Sequence, residues 1–264
     1  MKIFIITIDH TFFYPQLWHQ VLEKHAASIQ GAFFFRRLPN KYSLLKYKMT
    51  EFNFIGARNA FKIFYTGMSL QLKHVMRYGR SVSVKALFQD YNVPVYSYKT
   101  IRDPRFEQKL KDLSPDLVIS AGTHQIIPKN ILDIPKDGVL NKHGSLLPKY
   151  AGFWPLFWAL YHNESQAGVT FHKMISKLDA GEMVHQKKFS IEPQDSLFDV
   201  QKKSLLLSGE MIGDIIDYYR NHQRLPIFHV ENSEKNTEKN PKLSPFPTRA
   251  DRLYFEKVSQ RRII

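Results

Sequence analysis

The run Lys2 to Ile8 (KIFIITI) is almost continuously apolar and rich in isoleucine. A strand of this composition has to be buried on both faces, as in a parallel sheet covered by helices. No other feature narrows the possible folds as much, and the rest of the chain conforms to it. Leu17, Val21 and Leu22 have helical spacing, and Ala32 to Phe35 reads as a second strand. Val84 to Tyr91 reads as helix, Pro94 to Tyr96 as extended chain, and Phe106 to Leu113 as helix again. After the turn at Ser114-Pro115, strands are expected over Asp116 to Ser120, Gly138 to His143, Val169 to Met174 and Met183 to Ile191, with a helix opening at Trp154-Pro155. Such alternation, with crossovers of this length, predicts an α/β fold: a Rossmann-like, twisted, mostly parallel sheet with helices on both faces.

Asp195 or Ser196 is placed to cap a longer helix whose Leu197, Val200, Leu207, Met211, Ile215 and Tyr218 share one face. The core is expected to end with it. Residues 1–220 then form one catalytic domain, and 221–264 a polar, proline-punctuated extension with an exposed loop at ENSEKNTEKNPK and a short closing helix or ordered tail after it.

At 264 residues the chain can bury a sizeable core without disulfides, and it contains no cysteine, which excludes a cysteine nucleophile and a thiolate metal site. The apolar start stops at Asp9, too short for a signal peptide, and no stretch approaches a membrane span. A cytoplasmic protein is expected. The formal charge is +14, and most of the excess lies in a basic insertion over about 36–80, where ten basic residues face one acid, Glu51. Such a segment attracts polyanions or an anionic membrane surface, or remains a solvated basic face. Within it Phe61, Phe64, Tyr65, Met68, Leu72, Val75 and Met76 recur at helical spacing, a stripe expected to pack on the core.

Reactive groups in an open parallel sheet belong beyond the carboxyl ends of its strands. NKHGSLLPKY, residues 141 to 150, lies at such an end. Asn141 and His143 are two apart on a strand and project from one face. Thirty-six residues after the histidine, Leu178-Asp179-Ala180-Gly181 forms a turn between two strands and can return an acid to the same edge.

The ordered set NKHGSLLPKYAG, AGVTFH and LDAGEMVHQ resembles the folate-dependent formyltransferases, which include methionyl-tRNA formyltransferase, glycinamide ribonucleotide transformylase and the sugar N-formyltransferases. The resemblance runs from about Asp116 to Tyr219. It implies transfer of a formyl group from N10-formyltetrahydrofolate to a primary amine by Asn141, His143 and Asp179, with no metal. His143 is suited to be the general base, and Asn141 to donate to the oxyanion. Asp179 is expected to raise the pKa of His143. The segment Ala121 to Pro128 resembles the family's folate-binding loop, with Gln125, Ile126 and Ile127 at positions that line the pterin pocket in relatives, and His124 as a bystander.

The turn after the first strand, IDHTFFYP, has no glycine, which disfavours a phosphate cradle there and hence a ribonucleotide amine. Forty-five residues follow Tyr219, too few for the separate barrel-like domain that methionyl-tRNA formyltransferases use to grip tRNA. By elimination and analogy the expected acceptor is an amino sugar on a nucleotide carrier. Tyr150, Trp154 and the aromatic turn Phe12, Phe13, Tyr14 are candidates to line its pocket. Relatives often carry arginine where this chain has Ala151. Nucleic-acid binding by an enzyme of the methionyl-tRNA type, or a non-catalytic RNA or membrane-surface module built on residues 36–80, is the alternative, and the sequence is compatible with a homodimer.

Overall fold

The computed structural model of the chain describes residues 1–10, 13–35, 44–78, 83–123, 125–226, 243–259 and 261–264. Among these the elements run β1 (Ile3–Thr7), α1 (Tyr14–His25), β2 (Ile29–Phe35), α2 (Leu44–Ile55), α3 (Ala57–Tyr78), α4 (Val84–Asp90), β3 (Val95–Tyr98), α5 (Pro104–Leu113), β4 (Leu117–Ala121), α6 (Lys129–Leu132), β5 (Val139–His143), α7 (Pro155–Tyr161), β6 (Gln166–Lys173), β7 (Met183–Ser190), α8 (Leu197–His222) and α9 (Arg249–Val258). The seven strands form one sheet in the order β3-β2-β1-β4-β5-β6-β7. β3 to β5 in that order are parallel, and β6 and β7 are antiparallel additions. The order reverses between β1 and β4, which opens a crevice at their carboxyl ends, where the connections diverge to opposite faces.

Double-sided burial of the central strands is visible residue by residue. Ile3 and Ile5 of β1 and Leu117 and Ile119 of β4 face a core shared with α1, α4 and α8. Phe4, Ile6 and Val118 face the opposite core, shared with α5 and α6. Each fully buried side chain of this kind contributes about 1.5–3 kcal/mol. β2 starts at Ile29, three residues earlier than its most apolar part suggests, and includes Gly31, whose backbone the Phe4 and Tyr96 rings approach closely. Lys142 of β5 points to the α8 side, where its Nζ donates to Ser204 Oγ at 3.2 Å. Burial of that ammonium lowers its pKa to about 8.

Ser196 caps α8 with a reciprocal capping box to Asp199. The core does not end with this helix. Phe54 of α2, Phe157 of α7, Phe255 of α9 and Ile263 form a third buried cluster against β6 and β7. The aromatic spacing around α9 is too sparse to show this in sequence. Residues 243–246 also join the body: Ser244 N donates to Ala151 O at 2.6 Å, Phe153 N to Ser244 O at 3.0 Å, and Trp158 Nε1 to Pro245 O at 3.0 Å.

In the basic segment, Phe61, Phe64, Tyr65, Met68, Leu72, Val75 and Met76 do form one stripe of α3, but the stripe faces solvent. The expectation that it packs on the core is therefore corrected: periodicity shows that a helix is amphipathic and does not say what its apolar side meets. Arg36, Arg37, Lys41 and Arg80 lie outside the described residues, as do Phe12 and His124 and most of the polar loop after 226. No described helix is long and apolar enough to cross a membrane.

Candidate active site

β5 delivers Asn141 and His143 to the carboxyl edge of the sheet on one face. Ser120 of β4 is in register with Asn141, so the loop beginning at Ala121 and Gly122 leaves the sheet beside them. Across the sheet on the other side, antiparallel β6 sets His172 opposite Asn141 and Thr170 opposite His143.

Asp179 arrives from the turn between β6 and β7 with a left-handed φ of +49°. Its Oδ2 accepts from Gly152 N at 2.8 Å and lies 3.6 Å from His143 Nδ1, while Oδ1 lies 3.5 Å from His172 Nε2. Two glycines make this possible. Gly152 has a φ of +103°, and a side chain there would meet Ser244 O at 2.6 Å. A side chain at Gly181 would run into the Lys173 carbonyl.

His143 Nε2 lies 3.0 Å from Tyr150 O. A carbonyl only accepts, so Nε2 is the donor and Nδ1 is the nitrogen that can take up a proton, facing Asp179. His172 Nδ1 lies 3.3 Å from Lys173 O, and its Nε2 sits between Asn141 Nδ2 at 3.2 Å and Asp179 Oδ1 at 3.5 Å. The Asn141 amide is thereby held in one orientation.

Burial dominates the electrostatics of His143 and lowers its pKa below the ordinary value. The Asp179 carboxylate and the Tyr150 carbonyl pull it back only in part. The expected upward pull of Asp179 is thus present, but desolvation of the imidazolium outweighs it and the net shift is downward. Burial alone would raise the pKa of Asp179, yet His172, His143 and the Gly152 N–H together hold it below the usual carboxylate value. The resting site therefore pairs a neutral imidazole with a carboxylate.

His172 was not singled out in the sequence, and neither were the residues that hold the loop after His143. Thr170 Oγ1 donates to Ser145 O at 2.7 Å and accepts from Leu147 N and from Gln186 Nε2, which also reaches Leu147 O at 3.0 Å. The signal was available, since Thr170, His172 and Gln186 are the threonine and final histidine of AGVTFH and the glutamine of LDAGEMVHQ.

The other predicted residues are more dispersed. Gln125 is buried, with Oε1 accepting from Ile101 N at 2.9 Å and Thr100 Oγ1 at 3.0 Å, so it braces one loop against another. Ile127 is buried in the α5/α6 core, and Ile126 is 55% exposed. Tyr150 presents its backbone carbonyl to His143, while its hydroxyl donates to Glu164 at 2.9 Å and its ring stacks on His162. Trp154 packs edge-on against Phe54 and Phe246. Phe13 packs on Phe198, and Tyr14 lies against Gly122.

These features define a doubly wound α/β protein with an Asn–His–Asp constellation at the carboxyl end of β5, next to the switch-point strand β4. Residues 69–215 match the model of the formyl transferase family, and the chain belongs to that family. Enzymes of this family use N10-formyltetrahydrofolate as formyl donor. The methionyl-tRNA formyltransferase of Geobacter metallireducens is 33% identical over 134 residues, covering 51% of this chain and 43% of the relative. The chain thus spans less than half the length of the curated relatives it matches. Among solved structures, the phosphoribosylglycinamide formyltransferase of Bacillus halodurans has a TM-score of 0.57 at 16% identity, covering 87% of this chain and all of that one. A sugar N-formyltransferase from a Shewanella species has a TM-score of 0.52 at 16% identity, covering 97% and 86%. Both show the fold alone.

Proposed function

We propose that this chain transfers a formyl group from N10-formyltetrahydrofolate to the primary amine of a small acceptor, an amino sugar on a nucleotide carrier. The observation that carries the reading is the closure of Asn141, His143, His172 and Asp179, which lie 31 or more residues apart in places, into contacts of 3.2 to 3.6 Å. His143 Nδ1 takes the proton from the attacking amine, and its low pKa keeps it neutral and ready near pH 7. The imidazolium that results faces Asp179. Asn141, fixed by His172, directs its second amide hydrogen at the negative charge that develops on the formyl oxygen.

The donor supplies an activated formyl group, and this face of the sheet suits it. Ser120 Oγ, in register with Asn141, is buried and has no hydrogen-bond partner among the described residues. Gly122, with a φ of +98°, keeps the following loop open beneath Tyr14. Gln125, Ile126 and Ile127 would form and brace the wall of the donor site along this loop, and Ile101, Arg102, Asp103, Glu107, Pro128, Asn130 and Ile131 line a cavity of about 190 Å³ beside α6.

A phosphate site directly after β1, where a ribonucleotide amine would place one, is disfavoured by Asp9. Its carboxylate follows β1, where a phosphate cradle would have to form, and it accepts from Val84 N at 2.8 Å and from Ser83 Oγ. A negative group there opposes a phosphate.

The test is release of tetrahydrofolate by the purified chain from N10-formyltetrahydrofolate and a panel of nucleotide-linked amino sugars. Turnover that His143→Ala abolishes is the expected result. Turnover with initiator methionyl-tRNA in place of every amino sugar would overturn the acceptor and leave the chemistry standing.

A further inference from the structure

α3 follows directly on α2 through Gly56, whose φ is +79°. Its start is held: Asn59, buried, donates through Nδ2 to Ile55 O and to Glu256 Oε1, both at 3.0 Å. Beyond that first turn its apolar side is open to solvent. Phe61 is 71% exposed, Phe64 67%, Met68 51%, Leu72 60% and Met76 78%. Residues at this spacing lie along one side of the helix, and Arg58 and Lys62 border it. From Phe61 to Met76 the stripe is about 22 Å long. An apolar surface of this extent calls for a cover.

We propose that α3 is a membrane-surface helix, which lies in the headgroup region of an anionic bilayer with Phe61, Phe64, Met68, Leu72 and Met76 in the acyl boundary. Charge selects this occupant. Arg58 and Lys62 border the stripe and the sequence of α3 contains no acid, so two copies meeting through this face would bring like charges together, whereas an anionic leaflet complements them. Phosphate-directed binding of a nucleic acid would use the charge and leave five large apolar side chains in water. No described helix can cross a membrane, so α3 lies on the surface rather than spanning it. Paired apolar and basic signals are what reversible surface anchoring requires. The proposal is independent of which amine the enzyme formylates.

Flotation of the full chain with vesicles of phosphatidylcholine alone, and with about 30 mol% phosphatidylserine, tests it. Binding to the anionic vesicles that weakens in high salt is expected. Phe61→Ser/Phe64→Ser/Met68→Ser should lower the partition at least about tenfold. Arg58→Glu/Lys62→Glu should lower it several-fold on anionic vesicles only, and provides a second readout if the triple variant misfolds by circular dichroism. Neither set touches the catalytic residues, so formyl transfer in detergent-free solution should be unchanged. No binding to anionic vesicles at low salt would overturn the proposal. So would binding that the apolar substitutions leave intact, a dimer in sedimentation velocity that they dissolve, or salt-sensitive RNA binding without vesicle binding.

Discussion

At the scale of single residues, the site depends on a histidine whose burial opposes its carboxylate neighbour. In the proposed reaction His143 must be neutral to accept a proton, so kcat/KM should fall as pH drops through its pKa. Because that pKa is lowered from 6.5, the acid limb should lie below about 6.5. Asp179→Asn removes the main influence raising it, so the limb should move lower still, even as kcat drops. An upward move would contradict the assignment. Asn141→Ala should reduce kcat by about 10²–10³ with little change in KM, the signature of a contact made to developing charge. What could be read in advance at this scale was uneven. Asn141, His143 and Asp179 stood out because polar side chains at a strand end and in a turn break an apolar pattern. His172 did not, since a lone histidine within a strand looks like an ordinary core residue. The Tyr150 contact is made by a backbone carbonyl, which no side-chain reading detects, and the pKa direction of His143 depends on a burial that only the folded chain displays.

At the scale of elements, local signals agree with the structure wherever one residue determines the geometry. Ser196 is such a case: its side chain accepts from Asp199 N, and Ser196→Ala should cost about 1 kcal/mol, visible as a lower urea midpoint with an unchanged slope. The loop after His143 is held instead by side chains from two other strands. Thr170→Val should keep the fold and loosen Ser145 to Tyr150, raising KM and lowering kcat together. β1 and β4 were legible because burial on both faces leaves an unbroken apolar run. α3 was only half legible: its stripe could be read, and its solvent-facing direction could not, because spacing carries no information about what lies opposite.

At the scale of the whole molecule, stability is shared between two sheet-covering cores and the cluster around Phe54, Phe157 and Phe255. Phe255→Ala should cost about 3–5 kcal/mol in a single cooperative transition, and an independent early transition of α9 would show that this cluster is separate. Lys142 introduces a pH dependence of its own. Its folded pKa of about 8 lies below the ordinary 10.5, so between those values the unfolded chain holds a proton that the folded chain has released. Stability should therefore gain from this group as pH rises from about 8 to about 10.5, and Lys142→Met should flatten that part of the wild-type curve. The doubly wound order was legible from the alternation of elements. The third cluster was not, because it joins residues just over two hundred positions apart.

The bridge between Ser244 and Gly152 sets the order in which the protein can be finished during synthesis. Gly152 holds Asp179, but the loop that carries Gly152 is itself hydrogen-bonded through Ala151 and Phe153 to a segment that leaves the ribosome some ninety residues later. A nascent chain can thus assemble its sheet, and bring Asn141 and His143 to their edge, well before the carboxylate beside them is secured.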